Sequence, residues 1–284
     1  MANKLHYLVA PGRLASVMSA HNPLSARLAE LAGFDGVWAS GFELSAAYGL
    51  PDASLLSFTQ HLDMTRAIVE RISALVIADL DTGYGNALNV QRTVIEYARA
   101  GAAAVMIEDQ VSPKKCGHTK GKQVVSREEA RMKIRAAVEA RAERDILILA
   151  RTDARAVHGP QEALARCRDF EAEGADIIFY EAPESEAEME AFCRAVSKPC
   201  MANMVAGGRT PLLPPSGLER LGYKLAVYPV MLLSSAISAM QTALRALQPG
   251  AVAPVPPSVS FTELQHIVGF PEYWDRETRF RAAE

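Results

Sequence analysis

The sequence predicts an α/β fold, a closed (β/α)8 barrel of the TIM type, from two observations. Eight short runs of apolar and β-branched residues recur between helical patterns, and these runs are near-continuous rather than alternating. Such runs are typical of strands that are buried on both faces of a parallel sheet. A doubly wound open sheet is the competing fold, but it normally carries a glycine-rich phosphate-binding turn after its first strand, and this sequence has none there.

The strands and helices of the predicted barrel can be read in chain order. The strands are residues 15–18, 36–39, 75–78, 104–107, 146–149, 177–180, 200–202 and 225–228. Between them, segments 89–100, 126–144 and 160–174 place apolar residues three and four positions apart, as an amphipathic helix does. Several helical segments end in a glycine, which suits a left-handed helix cap. These glycines are Gly33, Gly101, Gly174 and Gly222.

The C-terminal residues do not continue this alternation of strands and helices. Residues 248–258 read Gln-Pro-Gly-Ala-Val-Ala-Pro-Val-Pro-Pro-Ser, which predicts a stiff linker. Beyond the linker, residues 261–268 and 273–280 predict two short amphipathic helices that are separated at Pro271.

These features divide the chain into a barrel catalytic domain, residues 1–247, and a helical extension, residues 248–284. An apolar helix face beyond a linker must be buried somewhere. We therefore expect the extension to pack on a neighbouring subunit, as an element swapped between subunits.

Composition excludes several classes of function. The 284 residues are 49% hydrophobic and 22% charged, which indicates a folded globular protein. Lysine and arginine total 30 against 33 aspartate and glutamate, so nothing indicates a nucleic-acid partner. No apolar run approaches the roughly 18 residues that span a bilayer, and no signal peptide is visible. Four cysteines without metal-type spacing indicate reduced thiols, and we expect a cytoplasmic protein.

Polar residues follow five successive strands at their carboxyl ends, where barrel enzymes keep their active sites. They are Asp79, Asp81, Glu108, Asp109, Arg151, Thr152, Asp153, Glu181 and Asn203. Asp79, Asp81 and Glu108 offer the oxygen ligands that Mg²⁺ or Mn²⁺ prefers, and period-2 spacing puts the two aspartates on one side of their strand. The alternative is that these acids only cap helices and form turns.

Residues 111–125 form a long polar loop after the fourth strand, which we call the Cys116 loop. A loop of this length is usually functional and often acts as a lid. It holds four lysines and a histidine around Cys116. Neighbouring positive charge lowers the pKa of a thiol, so Cys116 is a candidate proton donor or nucleophile, although no spacing marks a catalytic triad. Core packing explains the other three cysteines, Cys167, Cys193 and Cys200.

Arg151 stands at the end of the fifth strand. Its guanidinium suits bidentate binding of a substrate carboxylate or phosphonate. The alternative is an ion pair with Glu181 inside the barrel, and the two interpretations are compatible.

Four segments together resemble the isocitrate lyase/phosphoenolpyruvate mutase superfamily. They are residues 79–86 (Asp-Leu-Asp-Thr-Gly-Tyr-Gly-Asn), 107–110 (Ile-Glu-Asp-Gln), 114–118 (Lys-Lys-Cys-Gly-His) and 150–154 (Ala-Arg-Thr-Asp-Ala). The resemblance covers nearly the whole predicted barrel. It implies a (β/α)8 barrel with a swapped C-terminal helix, Mg²⁺ with Mn²⁺ as the alternative, a small dicarboxylate or 2-oxo acid substrate, and a homotetramer.

The resemblance also implies residue roles. Mg²⁺ would be held by Asp79, Asp81 and Glu108 and would chelate the 2-oxygen and a carboxylate of the substrate. Cys116 would protonate the carbanion equivalent that cleavage of the C2–C3 bond leaves, and Arg151 would bind a carboxylate. Further residues stand at positions that match functional positions of the family. Asp52 would belong to the metal site, and Glu181 and His118 would be catalytic. The substrate would be bound by Ser40, Gly41, Phe42, Gly117, Asn203 and Pro229.

Within the superfamily, the Cys116 loop and Pro229 resemble carbon–carbon lyases of the 2,3-dimethylmalate and methylisocitrate type; the loop also resembles oxaloacetate hydrolase. Residues 228–235 lack the arginines that bind a third carboxylate in methylisocitrate lyase. A buried unpaired carboxylate is costly, so a dicarboxylate substrate is favoured. Residues 18–23 and 40–45 instead resemble phosphonopyruvate hydrolase.

Three hypotheses follow. The leading one is a Mg²⁺-dependent lyase that cleaves a substituted 2-hydroxydicarboxylate into a 2-oxo acid, such as pyruvate, and a carboxylate. The alternative is a hydrolase or decarboxylase that acts on a 2-oxo acid, either phosphonopyruvate or oxaloacetate. The third is a barrel without catalytic activity that serves in binding or assembly. The presence of the candidate site residues Asp79, Asp81, Glu108 and Arg151 argues against it.

Overall fold

All eight predicted strands are present, and they close into a parallel barrel in which each strand pairs with the next and β1 pairs with β8. The computed structural model describes residues 7–10, 12–117, 119, 121–142, 144–249 and 257–281. The strands are Ala15–Ala20 (β1), Gly36–Ala39 (β2), Leu75–Asp79 (β3), Ala104–Glu108 (β4), Leu147–Thr152 (β5), Ile177–Tyr180 (β6), Cys200–Asn203 (β7) and Leu225–Tyr228 (β8). The prediction of a (β/α)8 barrel is confirmed.

Helices connect the strands and follow the last one. In the described residues they are Pro23–Leu31 (α1), Gly41–Ala47 (α2), Phe58–Val69 (α3), Ala87–Arg99 (α4), Arg127–Arg141 (α5), Arg155–His158 (α6), Pro160–Ala172 (α7), Glu186–Ala195 (α8), Pro215–Leu221 (α9), Met231–Leu247 (α10), Phe261–Val268 (α11) and Phe270–Phe280 (α12). The three helical segments predicted from spacing correspond to α4, α5 and α7. The glycines expected as caps, among them Gly222 after α9, have positive φ values.

Four strands end on a polar residue beyond their apolar runs. Strand β3 runs to Asp79, β4 to Glu108, β5 to Thr152 and β7 to Asn203. Hydrophobicity marks only the part of a strand that is packed on both sides, whereas the ladder of backbone hydrogen bonds continues into the mouth of the barrel, where the side chains are polar.

Side chains from every strand fill the inside of the barrel. The cluster includes Val17, Trp38, Ile77, Met106, Leu149, Phe179, Met201 and Val227. Because side chains alternate along a strand, the residue two positions further along points to the same side. The residues that continue these inward rows to the carboxyl ends of their strands are Ser40, Asp79, Glu108, Arg151, Glu181, Asn203 and Pro229. The apolar interior is therefore the floor of a polar site.

The chain divides into two compact units, one ending at Leu232 and one beginning at Leu233. In the second unit, α11 and α12 are amphipathic helices, as predicted. The expectation that Pro271 separates them is wrong. The break lies at Gly269, which has a φ of +89°, and Pro271 lies in the first turn of α12. Proline is tolerated there because an N–H group in the first turn has no acceptor within the helix.

Most of the predicted linker, residues 250–256, lies outside the described residues. The domain boundary after residue 247 and the swapping of the extension stay predictions. Among the helices that the structure describes, none combines the length and the apolar character needed to cross a bilayer.

We expect Gly222→Ala to destabilise the barrel. Gly222 ends α9 with a φ of +106°, and a Cβ there would lie 3.1 Å from the Cβ of Cys193. An L-residue adopts such a backbone at a cost of about 1–2 kcal/mol, so the free energy of unfolding in urea should fall by about that amount. Gly217→Ala, inside the same helix, is the control and should cause no loss, because alanine is the better helix former. Equal losses in the two variants would contradict the cap assignment.

Candidate active site

A cavity of about 280 Å³ opens at the carboxyl ends of the strands. The predicted site residues that line it are Ser40, Phe42, Asp52, Asp79, Cys116, Gly117, Arg151, Glu181, Asn203 and Pro229. Gly41, Asp81 and Glu108 lie beside this group, in contact with its members. His118 lies outside the described residues. Residues that are distant in sequence thus meet in one cavity, as expected from strands that all end at the same face.

Asp79 stands at the centre of the acidic cluster, by which we mean Asp52, Asp79, Asp81 and Glu108. Its Oδ2 accepts a hydrogen bond from the backbone N–H of Gly41 at 3.0 Å, and its Oδ1 accepts one from the N–H of Asp81 at 3.0 Å. The first contact joins the start of α2 to the end of β3, which brings Ser40 and Phe42 to the acidic side of the cavity.

Asp81 and Glu108 are buried carboxyl groups. Burial raises the pKa of both above their ordinary values, and in Glu108 it outweighs the opposing effect of Arg151. Oε1 of Glu108 is buried and has no hydrogen-bond partner among the described residues. Burial, to which Asp79 and other nearby acids add, therefore disfavours the ionised forms of these carboxyl groups, and a further cation would favour them.

Lys114, from the Cys116 loop, reaches into the acidic cluster. Its Nζ lies 2.5 Å from Oδ1 of Asp52 and 3.0 Å from Oδ1 of Asp81, and its side chain is only 4% exposed. Burial opposes the charged form of this lysine, but Asp81, Glu108, Asp79 and Asp52 together raise its pKa well above the ordinary value. The loop is thus tied to the acids by a buried ammonium group.

The donor set of the acidic cluster fits a hydrated magnesium ion. Among the described residues, no three carboxylate, imidazole or thiolate groups converge closely enough to form a cage around a metal. Mg²⁺ needs no such cage, because it retains several waters and takes one or two carboxylates together with oxygens of the substrate. The buried oxygen of Glu108 without a partner is the acceptor that a metal-bound water would use.

Arg151 is the second buried cation of the cavity. Its Nε and Nη2 donate to Oδ2 and Oδ1 of Asp153 at 2.8 and 3.0 Å, which is a bidentate pair. Oε2 of Glu108 lies 3.4 Å from Nε of Arg151, and Oε2 of Glu181 lies 3.8 Å from Nη2 of Arg151. The expected pair with Glu181 is present, but Asp153 is the closer partner. Burial raises the pKa of Asp153, yet Arg151 and Lys122 outweigh this effect and hold it at about 2.

The Cys116 loop is seated on Arg151 and Asp153. Nζ of Lys122 donates to the carbonyl of Gly117 at 2.5 Å and to Oδ1 of Asp153 at 2.6 Å. Gly117 permits this approach, because a Cβ at that position would lie 2.3 Å from Nη2 of Arg151. The half-buried thiol of Cys116 is therefore held at the wall of the cavity.

The sequence placed the loop lysines around the thiol as a diffuse positive field, and the structure gives three of them specific partners instead. Lys114 binds the acidic cluster, Lys115 donates to the carbonyl of Gly121 at 2.9 Å, and Lys122 binds Asp153. Lys114 and Lys122 therefore hold the loop against the rest of the barrel, whereas the exposed hydrogen bond of Lys115 stays within the loop.

Sequence reasoning gave no specific partner to Lys114, Lys122 or Asp153. The spacing of Asp153, two positions after Arg151, was a usable signal, because residues at this spacing share one face of a strand. The partners of the two lysines lie far away in the chain, and no local pattern reveals them.

We expect Lys122→Met to loosen the Cys116 loop. A hydrogen bond to a charged group contributes about 1.5–3 kcal/mol, so its loss should raise the rate at which a disulfide reagent labels Cys116 by about ten-fold or more. Labelling is followed at each cysteine by peptide mass mapping. Lys115→Met removes an exposed ammonium group from the same loop and serves as the control. Equal labelling rates in both variants and the unaltered protein would show that Lys122 does not seat the loop.

Comparison with known proteins identifies relatives of this arrangement. The family model described as phosphoenolpyruvate phosphomutase matches residues 5–248. The chain is 46% identical to 2,3-dimethylmalate lyase of Eubacterium barkeri over 84% of this chain and 83% of that one. It is 40% identical to 2-methylisocitrate lyase of Aeropyrum pernix over 98% of this chain and 88% of that one. It is 48% identical to phosphonopyruvate hydrolase of Variovorax sp. over 65% of each chain.

Solved structures agree with these matches. A crystal structure of 2,3-dimethylmalate lyase superposes with a TM-score of 0.92 at 32% identity and covers 98% of this chain and 94% of its own. The structure of oxaloacetate acetylhydrolase in complex with 3,3-difluorooxalacetate superposes with a TM-score of 0.92 at 31% identity, and the match covers 99% of this chain and 98% of that one. The structure of phosphonopyruvate hydrolase in complex with oxalate and Mg²⁺ superposes with a TM-score of 0.84 at 35% identity, and the match covers 98% of each chain. The chain therefore belongs to the phosphoenolpyruvate mutase/isocitrate lyase superfamily, as an enzyme related to its carbon–carbon lyases.

Proposed function

We propose that this protein is a Mg²⁺-dependent carbon–carbon lyase that cleaves a substituted 2-hydroxydicarboxylate of the dimethylmalate type into a 2-oxo acid and a carboxylate. The observation that carries the proposal is the shared cavity of Cys116, Arg151 and Asp79. A proton donor, a carboxylate-binding guanidinium and a metal-binding acid are the three groups that this reaction requires.

The lining of the cavity supports a dicarboxylate carrying small alkyl groups. Among the described lining residues, Lys114 and Arg151 are the only cationic side chains, and Lys114 is already engaged by the acidic cluster. Apolar side chains, including Val205, Val227 and Val230, form much of the remaining wall. A third carboxylate would be buried without a partner, which is costly, so the methylisocitrate type is disfavoured.

The residues of the acidic cluster would hold Mg²⁺, with Asp79, Asp81, Glu108 and Asp52 binding it directly or through water. When bound, Mg²⁺ supplies a Lewis acid for the 2-oxygen of the substrate. Arg151, fixed by Asp153, would bind a substrate carboxylate and stabilise the negative charge that develops on it. Asn203 donates to Glu181 at 3.3 Å and would orient that carboxylate in the cavity.

Cys116 would complete the reaction as a general acid. When the C2–C3 bond breaks, the 2-hydroxyl passes its proton to a carboxylate that lines the cavity, which later releases it to solvent, and C2 becomes a carbonyl carbon. The electron pair of the broken bond passes to C3 and its attached carboxylate. The thiol of Cys116 then gives its proton to C3, and the resulting thiolate regains a proton from solvent when the loop opens.

Hydrolysis of a 2-oxo acid is the second candidate. It is favoured by the 48% identity to phosphonopyruvate hydrolase and by the superposition on oxaloacetate acetylhydrolase. Cys116 argues against hydrolysis of phosphonopyruvate, because a proton donor to carbon is needed where a C2–C3 bond is cleaved. Oxaloacetate hydrolysis also cleaves that bond, and against it the lyase is favoured by Pro229, which resembles the lyase pattern.

A substrate panel tests the proposal. Assays with 2,3-dimethylmalate, citramalate, 2-methylisocitrate, isocitrate, oxaloacetate and phosphonopyruvate are run with Mg²⁺ and with chelator, and pyruvate, glyoxylate, oxalate and phosphate are measured. We expect Mg²⁺-dependent pyruvate formation from 2,3-dimethylmalate. Phosphate from phosphonopyruvate, or oxalate from oxaloacetate, as the dominant product would contradict the lyase assignment.

Cys116→Ser should nearly abolish turnover while leaving ligand binding intact. A serine hydroxyl is a much weaker acid than a thiol, and loss of a general acid costs about 10²–10⁴-fold in rate. We expect the affinities for Mg²⁺ and pyruvate, measured by calorimetry, to stay close to those of the unaltered protein. Cys193→Ser, which alters a half-buried thiol away from the cavity, is the control. Full activity in Cys116→Ser would rule out the thiol as the proton donor.

Asp79→Asn should weaken Mg²⁺ binding by at least about ten-fold in calorimetry, because the substitution removes one negative charge from the centre of the acidic cluster. Asp63→Asn, an exposed acid on α3, is the matched control and should leave the affinity unchanged. Equal Mg²⁺ affinity in the two variants would exclude the acidic cluster as the metal site.

The remaining expectations concern assembly and location. We propose a homotetramer in which α11 and α12 are exchanged between subunits, acting in the cytoplasm. The apolar side chains exposed on the two helices, Phe261, Phe270 and Trp274 among them, are consistent with a partner surface.

A further inference from the structure

Glu43 is a buried acid that the proposed reaction does not use. It is the third residue of α2 and is 0% exposed. Its Oε1 accepts a hydrogen bond of 2.6 Å from the backbone N–H of Val230, which is 187 positions away in the chain. Its Oε2 has no hydrogen-bond partner among the described residues and lies 3.9 Å from Nδ1 of His21. An acid buried in this way needs a reason to be there.

The partner of Glu43 is held in a strained conformation. Val230 has a φ of +57°, and a β-branched residue with positive φ is a genuine outlier. Such conformations cost about 1–3 kcal/mol and persist only where surrounding contacts impose them. Val230 and its neighbour Pro229 line the cavity. The strain therefore lies in the wall that faces the substrate.

The contact joins the two sides of the cavity. Strand β1 lies between β2 and β8 in the barrel, so Glu43 reaches across the end of β1 to bind the segment after β8. The first turn of the same helix, α2, carries Gly41, whose N–H binds Asp79. One short helix is thus linked to the acidic cluster on one side and to the Pro229–Val230 wall on the other.

We propose that Glu43 is a positioning residue that sets substrate selectivity. By holding Val230 in its left-handed conformation, it fixes the Pro229–Val230 wall against the alkyl group on C3 of the substrate, so that a methyl group fits and its absence leaves a gap. This inference rests on the proposed function, since the substituent belongs to that substrate class. Contact with one methyl group is enough to discriminate substrates by about 10–200-fold.

Burial raises the pKa of Glu43 above its ordinary value. Glutamine keeps both the size of the side chain and an oxygen that can accept from the backbone N–H of Val230. Leucine keeps the approximate volume and removes the acceptor. Glu43→Gln and Glu43→Leu are therefore a matched pair that separates the hydrogen bond from the space the side chain fills.

The experiment measures kcat/KM for 2,3-dimethylmalate and for citramalate, which lacks the methyl group on C3, and compares their ratio between variants. We expect Glu43→Gln to keep the ratio within about three-fold and Glu43→Leu to lower it by at least about ten-fold, the factor expected when one methyl contact is lost. A purely structural role would lower both kcat/KM values in proportion. An unchanged ratio in Glu43→Leu overturns the proposal.

Val230→Gly provides a second measurement that does not depend on turnover. Glycine adopts positive φ without strain and keeps the backbone N–H that Glu43 binds, so Glu43→Leu removes the same hydrogen bond in both backgrounds. An untethered Val230 can leave its strained conformation and recover part of the lost free energy, whereas glycine has no strain to release. We therefore expect the fall in melting temperature caused by Glu43→Leu to be larger in the Val230→Gly background. If Glu43→Leu does not fold, Glu43→Met, which also lacks the acceptor and has a more flexible side chain, takes its place. An equal or smaller fall in the Val230→Gly background overturns the proposal.

The two measurements also separate this inference from the proposed function. Failure of the unaltered protein to cleave either substrate would refute the proposed function, and the melting comparison would still decide whether Glu43 holds Val230. If both substrates are cleaved and the ratio of their kcat/KM values is the same in Glu43→Leu as in the unaltered protein, this inference alone is refuted.

Discussion

Buried negative charge at the mouth of the barrel is the constraint on which the rest of the site depends. Strand periodicity places Asp79 and Glu108 on the inward rows of neighbouring strands, and Asp52 and Asp81 join them. Burial, and to a smaller extent the neighbouring carboxylates, raises the pKa of Asp81 and of Glu108, so the ionised forms of these acids depend on nearby cations. Lys114 and Arg151 offset part of the charge, and a divalent ion would offset the remainder.

The same electrostatic requirement organises the Cys116 loop. Lys114 anchors one arm of the loop on Asp52 and Asp81, and Lys122 anchors the other arm on Asp153. The thiol lies between the two anchors. Because both ammonium groups are buried with their partners, opening the loop would expose unpaired charge inside the site, so the closed position is strongly favoured. In this way the position of the proton donor is linked to the acids that would bind the metal.

Much of the fold was predictable from the sequence, for a physical reason. Strands packed on both sides must be apolar throughout, and the three strands at 36–39, 177–180 and 225–228 have the predicted ends. The polar residues that follow the strands share a face by periodicity, so Asp79, Glu108 and Arg151 were identified together. The misplaced break at Pro271 shows the limit of a single rule, because proline ends a helix in its interior but begins one in its first turn.

What could not be predicted depends on contacts between distant parts of the chain. The pairing of Lys114 with Asp52, of Lys122 with Asp153 and of Glu43 with Val230 has no local signature. The pairs join the Cys116 loop to the segment after α2, the same loop to the end of β5, and helix α2 to the segment after β8. The members of each pair become neighbours only when the barrel closes. The roles of these residues follow from geometry alone.

A crystal structure grown with Mn²⁺ and oxalate would test the central claim most directly, since Mn²⁺ can replace Mg²⁺ and is visible by its anomalous scattering. We predict one anomalous peak at the acidic cluster, with oxygens of Asp79 or Asp81 and of oxalate as ligands and Glu108 bound directly or through a water. Oxalate in the cavity with no peak among these carboxylates, or a peak elsewhere in the molecule, would contradict the account.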